Sequence, residues 1–154
     1  MDLSDLVSPE AILPSLKANS KKQALQAIAE KASAMTGVAE KDIFDTLLKR
    51  EKLGSTGVGG GIAIPHGKLA NLSRIFGLFA RLPKAIDFEA LDDTPVDLIF
   101  LLLAPETAGA DHLKALARIA RLFREPGMAA KLRASSDSST LYAVLTEGAQ
   151  HDAA

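Results

Sequence analysis

Between Val96 and Ala104 the chain runs Val-Asp-Leu-Ile-Phe-Leu-Leu-Leu-Ala, an almost unbroken apolar stretch. It is too short for a long core helix, and a strand wetted on one face would alternate apolar with polar residues. The stretch therefore predicts a strand buried on both faces, which requires helices above and below a sheet. Two further strands fit beside it. Phe76, Leu78, Ala80 and Leu82 alternate through residues 75–82, with Pro83 expected to end that strand, and Ile62 and Ile64 share one face of a shorter one.

Everything before residue 54 reads as helical. Ser20-Lys21-Lys22-Gln23 has the spacing of a capping box, and Ala24, Leu25, Ile28, Ala29, Ala32 and Met35 follow at helical intervals up to Gly37. A second helix is expected over residues 40–52, burying Ile43, Phe44, Leu47 and Leu48. On its wheel Glu51 falls near the centre of the apolar face and Arg50 at the edge. Either both charges turn inward there, or the helix frays and both reach solvent. Later helices are expected over residues 110–124, 128–133 and 138–146, separated from their neighbours at Pro105 and Pro126. With no internal repeat or long linker, residues 1–148 form one expected domain. Residues 149–154, including His151, are expected as a flexible polar tail, a poor place to hold a catalytic group.

At 154 residues such a domain buries roughly 70% of the surface its unfolded chain exposes. The 18 basic and 19 acidic residues nearly cancel, so bulk charge gives no reason to expect a nucleic-acid partner. There are no cysteines, which excludes disulfides, thiolate metal ligands and cysteine nucleophiles and fits a reducing compartment. The first residues lack the basic and apolar regions of a signal peptide. The longest apolar run, from Leu98 to Ala104, is far below the roughly 20 residues that span a bilayer. A cytoplasmic protein with no direct membrane insertion is expected.

The chemistry concentrates in Gly54-Ser55-Thr56-Gly57-Val58-Gly59-Gly60-Gly61-Ile62-Ala63-Ile64-Pro65-His66-Gly67-Lys68. Glycine-dense backbone allows several N–H groups to converge on an anion, with Ser55 and Thr56 as further donors. Pro65 fixes its own φ and holds Ile64 extended, restricting the direction in which His66 emerges. The loop is no nucleotide motif. A Walker A loop would need glycine at Ile62 and a hydroxyl residue at Leu69, and the dinucleotide fingerprint would also need glycine at Ile62.

His66 is the natural acceptor of a phosphoryl group, because a neutral imidazole nitrogen can attack phosphorus; the plainer alternative is a structural histidine. His112 lies in the first turn of its expected helix, where free amides and the helix dipole favour an anion and a neutral imidazole. It too has a plainer alternative, a half-buried histidine capping a core helix. Lys114, Arg118 and Arg121 form a stripe on the same helix, either solvated or suited to an acidic protein surface. A zinc site built on His66 and His112 would need Asp111 or Glu51 to complete it.

Taken together, Leu48-Lys49-Arg50-Glu51, Gly54-Ser55-Thr56-Gly57, Gly61-Ile62-Ala63-Ile64-Pro65-His66-Gly67 and Asp111-His112-Leu113-Lys114-Ala115-Leu116 resemble the enzyme IIA family of the bacterial phosphoenolpyruvate-dependent phosphotransferase system. The likeness is to the fructose/mannitol-type superfamily, and most of all to its nitrogen-regulatory, PtsN-like branch. It implies an α/β fold: a single domain with a mixed β-sheet and helices packed on both faces. It also implies that His66 becomes a tele-phosphohistidine by transfer from an HPr-like carrier (NPr), with His112 and Arg50 beside the phosphoryl group. Ser55, Thr56 and Gly67 are the expected phosphate-binding residues, and neither cofactor nor metal is expected. Transport members hand the group to a IIB domain and a permease that this sequence lacks, which favours a regulatory output. Sensor kinases and potassium transport systems are the partners the resemblance suggests. The competing readings are a non-phosphorylated binding module of the same fold, the IIA component of a sugar relay, and a metal-dependent hydrolase.

Overall fold

The computed structural model describes the backbone of residues 2–153 and the side chains of residues 2–147. A 3-10 turn at Leu3–Asp5 leads into β1 (Val7–Leu13), then α1 (Lys21–Thr36) and α2 (Glu40–Lys52). The glycine-rich segment holds β2 (Gly57–Gly59) and β3 (Ile62–Ala63), followed by β4 (His66–Leu69), β5 (Phe76–Ile86) and β6 (Val96–Pro105). Three helices complete the chain: α3 (Ala110–Arg124), α4 (Met128–Arg133) and α5 (Ser138–Ala153). The backbone of α5 runs on past the expected end at residue 146 and through residues 149–153, in place of the expected loose tail; the side chains there, His151 included, lie outside the described ones.

Among the described residues the sheet has six strands in the order β1-β5-β6-β3-β2, with β4 also paired to β6. The apolar run seen in the sequence is the hub, since β6 pairs antiparallel with β5 on one side and parallel with β3 and β4 on the other. Leu98 through Ala104 are all fully buried, on both faces of the strand. Helices α1 and α2 pack together against β4 and β5, while α3, α4 and α5 pack together against β6 and β1. The sheet is mixed because β1 is parallel to β5 and β2 is antiparallel to β3.

Beyond the added strand β4, several local features depart from the expected pattern. Strand β1 is one, hidden in the sequence by Pro9; it is an edge strand whose register slips between Val7 and Ile12, and a proline is tolerated at such a place. Pro83 does not end β5. It falls where the β5–β6 register is irregular, between Arg81 and Ile86, and beyond the last registered β1 partner at Ala80. The glycines of 57–59 form a strand as well as a loop, Gly57 pairing with Ala63 and Gly59 with Ile62. Finally, only half of the capping box at α1 closes as expected. Ser20 accepts from the Gln23 N–H, but the Gln23 side chain reaches the N–H of Asn19 instead of Ser20.

The β2–β3 turn is held from both sides. Its backbone has φ of 67° at Gly60 and 81° at Gly61, a region that favours glycine. Asp92 accepts the Gly60 N–H at 3.0 Å, and Arg133 donates to the Gly60 carbonyl at 2.6 Å while pairing with Asp97 at 2.9 Å. These bonds fasten the turn to α4, to the foot of β6 and to the 87–95 loop.

Candidate functional site

Helix α2 delivers the first part of the site. Its end is closed by Leu53 N–H donating to Arg50 O and Gly54 N–H to Glu51 O. That closure leaves Arg50 in the last turn, half-buried, with Nη1 donating to Gly54 O at 3.0 Å and Nε to His66 Nε2 at 3.3 Å.

His66 opens β4, immediately after Pro65, and is registered against Leu102 of the central strand. Its Nδ1 lies 2.8 Å from the Ile64 carbonyl. A carbonyl only accepts, so Nδ1 carries the proton and Nε2 the lone pair. Arg50 selects the same tautomer from the other side, because its Nε–H donates to Nε2.

The first turn of α3 brings His112 alongside. The two imidazole centroids are 5.8 Å apart with their planes at 49°. His112 Nε2 is buried and has no hydrogen-bond partner among the described residues. Burial, above all, holds both histidines below the usual pKa of about 6.5. For His66 the Ile64 carbonyl opposes that shift, the Arg50 charge adds to it and Glu51 opposes it. For His112 the His66 and Lys68 charges add to the effect of burial. Both rings are thus biased toward the neutral form.

The other expected site residues divide by what their polar atoms do. Thr56 is buried, with its N–H donating to Glu51 Oε1 at 3.0 Å and its hydroxyl to Glu51 Oε2. Ser55 donates to Phe88 O at 2.8 Å and accepts from the Gly57 N–H at 3.0 Å. The hydroxyl donors expected to bind phosphate thus point to Phe88 and to Glu51 of α2, and both side chains shape the loop. Gly67 stands against α2, where an added Cβ would come within 2.6 Å of Thr46 Cγ2. Its lack of a side chain is what allows β4 to lie so close to that helix.

Glu51 itself turns inward, with a side chain 3% exposed. The sequence carried that signal but not its answer: Lys21, at the start of α1, sits 2.8 Å from Glu51 Oε1 and was not among the expected site residues. The basic stripe on α3 is not one surface, since Arg118 is buried while Lys114 and Arg121 are exposed. Among the described residues no group of three or more His, Cys, Asp or Glu side chains is placed to hold a metal ion. Two apolar residues stand in water beside the site in sequence, Leu53 next to the Arg50 turn and Leu113 next to His112, 84% and 64% exposed. Among the described residues no helix is long and apolar enough to cross a membrane.

Residues 5–148 match the family model described as "Phosphoenolpyruvate-dependent sugar phosphotransferase system, EIIA 2". A protein of Bradyrhizobium diazoefficiens named "Nitrogen regulatory protein" is 66% identical over 145 residues, covering 94% of this chain and 95% of that one. The crystal structure of nitrogen regulatory protein IIA-Ntr from Neisseria meningitidis superimposes with a TM-score of 0.88 at 34% identity, over 94% of this chain and 99% of that one. The Escherichia coli complex of mannitol enzyme IIA with phosphorylated enzyme IIB matches with a TM-score of 0.78, over 92% of this chain and 99% of that one. At 20% identity this last is a likeness of fold. The chain therefore belongs to the EIIA 2 family of the phosphotransferase system, a family of phosphoryl relay components, and within it to the nitrogen-regulatory IIA-Ntr proteins.

Proposed function

We propose that this chain accepts a phosphoryl group on Nε2 of His66 from the phosphohistidine of an HPr-like carrier (NPr), and that its phosphorylation state selects the proteins it regulates. The observation that carries the proposal is the Nδ1–H···O=C bond from His66 to Ile64 at 2.8 Å. It turns the Nε2 lone pair toward the one side of the ring where a guanidinium waits. In the transfer the lone pair forms a new N–P bond while the carrier's N–P bond breaks and its electrons return to the carrier imidazole. No nucleotide, metal or net proton is needed, so the protein's task is positioning and charge stabilisation.

Each neighbour has a part in that step. Burial keeps His66 neutral and nucleophilic. Arg50, with N–H groups beyond the two it uses at rest, swings from Nε2 onto the phosphoryl oxygens as they arrive. His112 offers a polar nitrogen without a partner among the described residues. Ser55, Thr56 and Gly67 set the shape of the loop and the closeness of β4 to α2. Exposed Leu53 and Leu113, neighbours in sequence of the site residues, offer an incoming carrier apolar contact. The phosphoryl group adds about −1.5 to −2 charge at pH 7, enough to change which partner surface the site tolerates. On this reading the protein works in the cytoplasm, with sensor kinases or regulators of potassium transport as its targets.

The test is reconstitution. With phosphoenolpyruvate, enzyme I and the carrier present, the intact mass rises by one phosphoryl group, the phosphate is acid-labile, and His66→Ala takes none. An unchanged mass with demonstrably active upstream proteins would overturn the proposal.

A further inference from the structure

Glu51 is an expensive residue in its place. It lies in the last turn of α2, where the helix dipole disfavours an anion, and its side chain is almost wholly removed from water. Three contacts compensate it: the Lys21 ammonium at 2.8 Å, the Thr56 N–H at 3.0 Å and the Thr56 hydroxyl. A buried ion pair is seldom more stabilising than apolar side chains of the same volume, so its presence here calls for a use other than stability.

The hydrogen bonds lead from Glu51 to the acceptor in two directions. Thr56, gripped by Glu51 through both N–H and hydroxyl, accepts the Ile64 N–H on its own carbonyl at 3.0 Å. The carbonyl of that same Ile64 accepts the His66 Nδ1–H at 2.8 Å. In the other direction Gly54, two residues before Thr56, donates to the Glu51 backbone carbonyl and accepts Arg50 Nη1 at 3.0 Å. The ring and the guanidinium thus take their alignment from one short segment, and Glu51 is what fixes that segment to α2 and, through Lys21, to α1.

We propose that Glu51, held by Lys21, is a positioning residue for phosphoryl transfer: its carboxylate sets the Nδ1–H tautomer of His66 through Thr56 and Ile64, and by fixing Thr56 it steadies the 54–56 segment whose Gly54 carbonyl holds Arg50. This role rests on the reading of His66 as the phosphoryl acceptor. Glu51 touches neither the phosphoryl group nor the ring; its charge favours the protonated ring, and its positioning effect runs through the segment it holds.

The test uses Glu51→Gln in the full chain, which keeps the volume but places an NH2 donor among partners that are themselves donors. Nitrogen NMR of the His66 ring reads the tautomer, and transfer from the phosphorylated carrier reads kcat and KM separately. The expected result is a protein folded by circular dichroism, a ring no longer held in one tautomer, and kcat reduced roughly tenfold or more with KM little changed, as misplacement of reacting groups produces. Lys21→Met should act in the same sense, and Lys21→Arg, which keeps the charge, less strongly. Thr56→Val removes only the hydroxyl link and takes the place of Glu51→Gln should that variant not fold. A wild-type tautomer and wild-type kcat in the folded variant overturn the positioning role alone. A wild-type protein that accepts no phosphate from an active carrier overturns the acceptor reading, and the catalytic meaning of Glu51 with it.

Discussion

Arg50 donates its Nε–H to Nε2 of His66 at 3.3 Å, the nitrogen that the Ile64 carbonyl leaves unprotonated. The resting contact covers the lone pair that attacks in the proposed transfer, so Arg50 both guards the nucleophile and waits beside it for the incoming charge. Arg50→Ala is therefore expected to keep the fold and slow single-turnover transfer by about 10²- to 10³-fold, the usual loss when a charge-stabilising donor is removed. The same variant removes a positive charge that lowers the His66 pKa. An NMR titration should accordingly show the ring pKa moving up relative to wild type.

Both histidines are held below their usual pKa, chiefly by burial. In the unfolded chain each titrates near 6.5, so between that value and the lower folded one the unfolded state binds more protons. Stability from these groups is thus complete above the unfolded pKa and declines as pH falls through the folded values. Thermal melts from pH 7.5 downward should show the midpoint falling, with a shallower slope in His66→Ala. Transfer should persist to lower pH than an unperturbed imidazole allows, since the neutral ring survives there.

Gly67 owes its place to Thr46, whose Cγ2 would lie 2.6 Å from an added Cβ. Gly67→Ala should cost about 1–3 kcal/mol in urea denaturation, as overpacking typically does. Thr46→Ser removes the clashing methyl, and the double variant should recover much of the loss. A double-mutant cycle measures the coupling directly.

The Gly60 turn supplies a test remote from the imidazoles. Arg133→Ala deletes the bond to the Gly60 carbonyl at 2.6 Å together with the pair to Asp97. The Arg133 and Asp97 side chains are 37% and 24% exposed, so solvent screens the pair, and the expected loss is about 1–2 kcal/mol. Amide exchange in residues 57–61 should quicken by more than exchange in β5.

What the sequence made legible follows from which interactions are local. Helices α2, α3 and α4 have the limits their apolar spacing predicts, and the apolar run of β6 required covering layers on both faces. The inward turn of Glu51 was visible on a helical wheel. Its partner was not, because Lys21 lies thirty residues earlier and its meeting with Glu51 depends on how α1 packs against α2. Strand β1 escaped notice because its pairing with β5 is decided across the sheet, and Pro9 gives a local signal against it. The hydroxyls of Ser55 and Thr56 looked free for phosphate because Phe88 O and the Glu51 carboxylate become their partners only in the folded loop.

Pro65 interrupts the chain between two short strands that share one neighbour. Ala63 pairs with Ile99, the Leu102 N–H bonds to the Pro65 carbonyl, and His66 pairs with Leu102. The histidine is thus sewn, on its near and far sides, to the buried central strand of the sheet, and freeing its backbone would mean opening the middle of the protein. On the proposed function this makes His66 a stationary anvil: the phosphoryl group is brought to it, and partners distinguish the two states by a change of charge at a fixed address.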